Sequence, residues 1–500
     1  MFNSILEAIK YYAEKTPDAL CLAEESKKVS YAEYWELIRR LALVFKRKGI
    51  EKGERVILEG NQDINYLAVG HAVNLIGAVF VPSSHGCGLE RFVTLAENFG
   101  ARFVVANERV EIGEVYSLTY DDVTNAAKAY MYSNLEEIER GLVLPEANAL
   151  AEILFSTGTT GKEKGIMLSH HSDVAAGENV ANGAGVFCGN IEMVPSPMNH
   201  AHGLCSYYSN MIRGTAVVLI PSVLDIKLFF MLMDKYKVNS LDLVPAALSV
   251  ILKLSKDRLK EYGGQLRYME FGTAPMSALD REKLCALLPE TPLYNFYGST
   301  ESRRVIVNNF NVKDFKKGCI GRPSCNATVI IVDDDGNWIN ATKDNPGRLA
   351  ISGGMNTLGY WNDEEETARM LRDGFVYTND EAYFDEDGDI ILLGRRGDVI
   401  NVGGRKVSPE EIENAAKRLP EVEDCGCVGV PHPMLGSEPK LFVQLKKGVE
   451  LDVSAIEKKL EAILEGYKVP RLIEQIEKIP RTFNGKILRR ELKETICKLE

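Results

Sequence analysis

Cysteine is scarce in this chain, with 10 in 500 residues, too dilute for a disulfide scaffold. The one close pair, Cys425 and Cys427, lacks the two-residue spacer and the second pair that a zinc site uses. The cysteines are therefore expected to be reduced thiols, mostly buried. Positive charge is also in deficit. Lys+Arg 59 against Asp+Glu 71 leaves a formal charge of −12, which excludes the broad basic footprint of a nucleic-acid binder. The most apolar stretch, Tyr66 to Pro82, is broken by His71 and Asn74 and reads as a buried helix running into a strand, so no membrane span is expected. Residues Met1 to Ala23 carry Glu7 and Glu14 in an amphipathic pattern without the apolar core of an export signal, and a cytoplasmic location is expected. No long period recurs and no segment is low in complexity, which excludes solenoids and propellers.

What is present is ordinary globular composition, 45% hydrophobic and 26% charged, in a chain long enough for roughly two to four domains. From Ser4 to about Leu288, apolar runs such as Arg55 to Leu58, Val79 to Pro82, Phe103 to Ala106 and Val217 to Pro221 alternate with helical patterns such as Tyr31 to Lys48 and Lys227 to Lys237. After Glu301 short β-like runs, including Ala327 to Val332 and Arg348 to Ser352, are separated by turns at Asp335-Gly336 and Asp387-Gly388. Beyond Asp398, Ser408-Pro409-Glu410-Glu411 reads as a capping box with proline at the first helical position. Strands near Glu423 to Val430 and Leu441 to Leu445, a helix around Val453 to Leu464 and a strand near Glu474 to Ile479 are expected after it. The expected fold class is α/β: a large unit, 1–397, of α/β subdomains with a β-rich part at about 302–397, and a small α+β unit, 398–500.

The strongest local signal is Ser156-Thr157-Gly158-Thr159-Thr160-Gly161-Lys162-Glu163-Lys164-Gly165, set between the apolar runs Ile153 to Phe155 and Ile166 to Leu168. Glycines let the backbone approach an anion, hydroxyls donate hydrogen bonds and the lysines neutralise charge, which suits a polyphosphate. It is not the P-loop of kinases and GTPases, because Glu163 follows Gly161-Lys162 where that pattern needs Ser or Thr. Alone, such a loop is equally compatible with a flexible hairpin.

Further motifs follow in order: Pro197-Met198-Asn199-His200-Ala201-His202-Gly203, Phe271-Gly272-Thr273-Ala274-Pro275, Tyr297-Gly298-Ser299-Thr300-Glu301 and Gly321-Arg322-Pro323. Then come Gly359-Tyr360-Trp361, Tyr377-Thr378-Asn379-Asp380, Gly394-Arg395-Arg396-Gly397-Asp398 and Pro480-Arg481-Thr482-Phe483-Asn484-Gly485-Lys486-Ile487. With the loop, this series resembles the adenylate-forming acyl-CoA synthetase superfamily over nearly the whole chain.

The resemblance implies an ATP-dependent ligase with ATP, Mg2+ and CoA, acting on a small-molecule carboxylic acid through an acyl-adenylate, with a separate acyl carrier protein as an alternative acceptor. Ser156, Thr157, Gly158, Thr159, Thr160, Gly161 and Lys164 would cradle the phosphates, Glu301 would hold Mg2+ and Thr300 would donate to the α-phosphate. Gly272, Thr273, Ala274 and Tyr297 would pack on adenine, and Asp380, assisted by Arg395, would accept the ribose hydroxyls. Lys486 is implied as the mobile catalytic lysine, His200 as the residue bordering the carboxylate site with His202 as a competing candidate, and Asp398 as a hinge. Val402 to Lys406, with Gly403 and Gly404, would line the thiol tunnel. Four positions depart from the family pattern: Glu163 for proline, Asn199 for an aromatic ring, Arg348 for glutamate and Asn379 for glycine. Asparagine tolerates a left-handed backbone, so the ribose site is expected to survive, whereas polar Asn199 suggests a wetter or smaller acyl channel.

Overall fold

The computed structural model describes residues 2–130, 143–157, 163–482 and 485–497. Among them the fold is mixed α/β, with a large N-terminal part built on two sheets and a small C-terminal part built on a third. One long sheet begins with parallel strands: Leu20–Ala23, Ala216–Leu219, Ile191–Val194, Ser240–Leu243, Tyr268–Phe271 and Leu293–Ser299 are neighbours in that order. Ala216–Leu219, Ser240–Leu243 and Tyr268–Phe271 are buried along their whole length, as parallel strands covered by helices on both faces should be.

At Leu293–Ser299 the chain turns back, and every later strand of the sheet pairs antiparallel. The β-rich region is thus a continuation of the parallel sheet. Its outer strands are Cys319–Pro323, Ile390–Arg395, Phe375–Phe384, Gly347–Gly353 and Ala327–Val332. The second sheet has parallel Val79–Ser83, Arg55–Glu59, Phe103–Ala106 and Tyr116–Thr119, extended by the antiparallel hairpin Leu150–Thr157 and Glu163–Ser169. As expected, Tyr66 to Pro82 is a buried helix, Ile64–Leu75, running into the Val79–Ser83 strand. Among the described residues no helix is long and apolar enough to cross a membrane.

The C-terminal part has its own apolar core, in which Ile400, Val407, Ile412, Leu441, Val443 and Leu460 pack together. Three sequence expectations need correction. Ser408 is the N-cap of helix Pro409–Ala416, but neither half of the capping box forms: the Glu411 N–H donates to the Ser408 carbonyl at 3.2 Å, and the Glu411 carboxylate is held by Lys317 and Lys468 at 3.0 Å. The strand expected near Glu474 to Ile479 is earlier, at Leu472–Gln475. The nine cysteines whose side chains are described are free thiols, yet among them only Cys21, Cys205, Cys425 and Cys427 are buried.

Candidate active site

The two strands of the Gly/Thr hairpin and the turn after Leu293–Ser299 come together through side chains. Gly158, Thr159, Thr160 and Gly161 lie outside the described residues; Ser156 and Thr157 end the first strand, paired with Lys164 and Glu163 on the second. Lys164 donates to Glu366 at 2.5 Å and lies 4.7 Å from the centre of the Tyr360 ring. The Tyr360 hydroxyl donates to Glu301 Oε1 at 2.9 Å, and burial followed by the Glu301 charge pushes its pKa up, so it stays a donor. Lys164, Tyr360 and Glu301 therefore form one chain of contacts, with half-buried Thr300 beside it.

The next group lies at the carboxyl ends of the parallel strands. Gly272 follows strand Tyr268–Phe271, and a Cβ there would fall 2.7 Å from the His202 ring, so only glycine permits this approach. Thr273 has φ +72°, a left-handed conformation that costs a β-branched residue of order 1–3 kcal/mol, and such strain clusters at ligand sites. Tyr297 leaves strand Leu293–Ser299 half-buried and donates its hydroxyl to Asp380 Oδ2 at 2.5 Å. Burial and the Asp380 charge hold the phenol protonated. Arg395 is register-paired with Asp380 and stands 3.9 Å from Oδ1. The Asn379 departure has a local counterpart, since Arg348 donates to the carbonyls of Tyr377, at 3.0 Å, and of Thr378, fixing the strand segment that leads into Asp380.

Lys486 comes to this cluster from the C-terminal part. Its side chain is exposed; loss of hydration and the Arg395 charge lower its pKa, while Asp380, Glu301 and Glu410 act in the opposite sense. Its backbone is set by Lys486 N donating to Thr482 Oγ1 at 3.1 Å, and neighbouring Gly485 lies beside Ala246. The arrangement is held by contacts between the two parts, including Lys493 Nζ to the Gly397 carbonyl at 2.9 Å, Asn414 Oδ1 accepting from Ala278 N at 3.3 Å and an Arg418–Glu282 ion pair. Asp398 N donates to the Arg395 carbonyl at 2.9 Å. Gly403 and Gly404, both at positive φ, form the two-residue turn joining Ile400–Val402 to Arg405–Val407; this turn packs on Leu435, and Lys406 reaches Glu381 at 3.4 Å.

His200 occupies the N-cap position of helix Ala201–Met211, without a side-chain capping bond. His202 is buried one step further in, where Nε2 lies 2.9 Å from Asp242, and burial with the Arg304 charge lowers its pKa. Asn199 uses its amide on the Ser83 carbonyl at 3.1 Å. The sequence reading missed two fully internal ion clusters. Arg303, with φ +59°, pairs with Glu152 on the hairpin's first strand and with Asp173 at 2.6 Å on the helix after its second, tying the Gly/Thr hairpin to the Glu301 turn. Arg304 pairs with Asp242 and Glu270, each at 2.8 Å. The signal available was two consecutive arginines directly before the apolar run Val305 to Val307 of strand Arg303–Asn309.

The AMP-binding enzyme family matches residues 9–361, and the AMP-binding enzyme C-terminal domain matches 411–486. Among curated relatives, a 2-succinylbenzoate–CoA ligase of Geobacillus kaustophilus is 28% identical with 98% of each chain covered, and one of Bacillus cereus is 27% identical with 96% of each covered. Among solved structures, ATP-bound MatB of Rhodopseudomonas palustris superposes with TM-score 0.86 at 24% identity over 99% of both chains. With two family matches spanning most of its length and arriving in the family's order, the chain belongs to the AMP-binding enzymes.

Proposed function

We propose that this chain is an ATP-dependent carboxylic acid:CoA ligase of two half-reactions. In the first, an acid's carboxylate oxygen attacks the α-phosphorus of ATP, the bond to the β-phosphate breaks, and pyrophosphate leaves with that bond's electrons. In the second, the CoA sulfur attacks the acyl carbonyl, and AMP departs as the thioester forms. The observation that carries this reading is that Lys486 from the C-terminal part lies within charge-interaction range of Glu301, Asp380 and Arg395 of the large part. Two curated relatives that are CoA ligases support CoA as the thiol.

Each residue then has a physical task. Both transition states gather negative charge on phosphate oxygens, and Lys486 offers a compact cation where it develops. Lys164 neutralises phosphate from the hairpin side. Thr300 donates to the α-phosphate, and His200 borders the reacting carboxylate. Asp380, oriented by Tyr297 and Arg348, accepts from the ribose, while the Gly272-Thr273-Ala274 backbone packs on adenine. Glu301 suits Mg2+, being a hard oxygen ligand oriented by the Tyr360 hydroxyl, and the ion would supply charge neutralisation. Residues 398–500 turn about Asp398 between the half-reactions, bringing the Gly403–Gly404 turn to the thiol. Free thiols at the nine cysteines whose side chains are described favour a reducing, cytoplasmic setting.

The test is incubation with ATP, Mg2+, CoA as sole thiol and a panel of short, medium and aryl acids. Acid-dependent AMP release with a thioester product is expected. AMP release without a CoA thioester would move the acyl group to a carrier protein, and ATP binding without acid-dependent AMP release would overturn the ligase reading.

A further inference from the structure

Gln62 belongs to none of the sequence motifs, yet its side chain holds the segment that carries one of them. It follows strand Arg55–Glu59 of the second sheet and reaches the first, where residues 195–200 join strand Ile191–Val194 to helix Ala201–Met211. Gln62 Nε2 donates to the Val194 carbonyl at 2.8 Å and to the Ser196 carbonyl at 3.0 Å, and Gln62 Oε1 accepts from Met198 N at 3.1 Å. A carboxamide offers two donors and an acceptor side by side, so one group satisfies all three backbone partners. The segment is fixed on two further sides. Asn199 donates to the Ser83 carbonyl at 3.1 Å, and a Cβ on Gly60 would fall 2.6 Å from that oxygen and 3.0 Å from Asn199 Cβ, an approach that glycine permits. A Cβ on Gly203 would fall 2.6 Å from the Pro197 carbonyl oxygen, so the segment lies directly on the first turn of the helix it leads into.

We infer that Gln62 is a positioning residue for the acid, fixing the backbone from Val194 to Met198 and through it the places of Asn199 and His200. This rests on the proposed function, which sets the reacting carboxylate at His200. The segment leaves the carboxyl end of a parallel strand, where open α/β sheets bind ligands. The nucleotide is assigned to other elements. Gly272 to Ala274, Tyr297 and Asp380 follow or belong to other strands of the first sheet, and among the described residues the Gln62 side chain bonds to none of them. Removing the amide leaves two carbonyls and one N–H of the segment without their partner, and a reacting group displaced by about 1 Å can cost about 100-fold in rate. The loss therefore falls on the acid and spares ATP.

The experiment is acid-dependent exchange of labelled pyrophosphate into ATP by the full chain and by Gln62→Met, which keeps the length of the side chain and loses its amide. Acetate, butanoate, succinate, octanoate and benzoate are the probes, and ATP and each acid the unmodified enzyme uses are varied in turn. In Gln62→Met the KM for the acid should rise about tenfold or more while the KM for ATP stays within about twofold, one unsatisfied buried group being enough for that factor. Should Gln62→Met not fold, Gln62→Glu is read in its place, since its carboxylate still accepts from Met198 N but donates to neither carbonyl, and the same split is expected. A side chain that served folding alone would lower the denaturant midpoint without separating the two KM values. A KM for the acid that stays unchanged, or a KM for ATP that rises with it by the same factor, overturns this inference while leaving the ligase reading intact. Silence of the unmodified enzyme with every acid overturns both.

Discussion

At the scale of single residues, the site depends on side chains that orient one another. The Tyr297 hydroxyl is the clearest, because its 2.5 Å bond to Asp380 is charge-assisted and partly sheltered from water. Such a bond is worth about 1.5–3 kcal/mol, so Tyr297→Phe should raise the KM for ATP about 10- to 100-fold with little change in the KM for the acid. Steady-state kinetics with each substrate varied in turn checks this. If Asp380 is the ribose acceptor, the variant also discriminates less between ATP and a deoxy-ribose analogue. Asp380, Arg395, Tyr297 and Lys486 were readable from the sequence because their motifs are local strings. Arg303 and Arg304 were not, since Arg303 lies 151 residues from Glu152 and Arg304 lies 62 from Asp242. No spacing rule joins such positions; only the folded sheets do.

At the scale of elements, the buried helix Ile64–Leu75 and the helix His170–Ala184 each carry a histidine held neutral by burial. His71, bonded to the Tyr207 hydroxyl at 2.8 Å, is lowered from 6.5 to about 3, and His170 to about 4. A histidine with a depressed folded pKa binds fewer protons folded than unfolded between its two values, so stability is lost as pH falls from 6.5 toward 4. Each contributes up to about 1.4 kcal/mol per pH unit in that window. Denaturant midpoints measured across it should decline, with a shallower decline in His71→Gln; an equal slope in the variant contradicts this assignment. Alternating apolar runs and helical periods located most elements, including this helix and its strand. Sequence periodicity did not foresee that the β-rich region continues the parallel sheet, because strand order is set by pairing between distant segments. The capping box at Ser408 failed for a similar reason: Glu411 found Lys317 and Lys468 instead.

At the scale of the whole molecule, function depends on how the C-terminal part meets the large one. The observed arrangement holds Gly397 at φ +84°, with nothing within 4 Å of an added Cβ, so Gly397→Ala tests backbone freedom alone. A left-handed conformation costs an L side chain roughly 1–2 kcal/mol, so this arrangement becomes about 5- to 30-fold rarer. Adenylation should slow accordingly, while thioester formation from supplied acyl-adenylate should change less. Rates of the two half-reactions measured separately decide it, and an equal loss in both would count against the hinge.

The central claim is that one ammonium group from the C-terminal part serves the attack on phosphorus. Its most direct test is Lys486→Ala assayed for both half-reactions. Loss of one preorganised cation should lower acid-dependent pyrophosphate exchange about 100-fold or more, with thioester formation from supplied acyl-adenylate largely retained. Equal loss in the two assays, or exchange as fast as in the unmodified enzyme, would contradict the account.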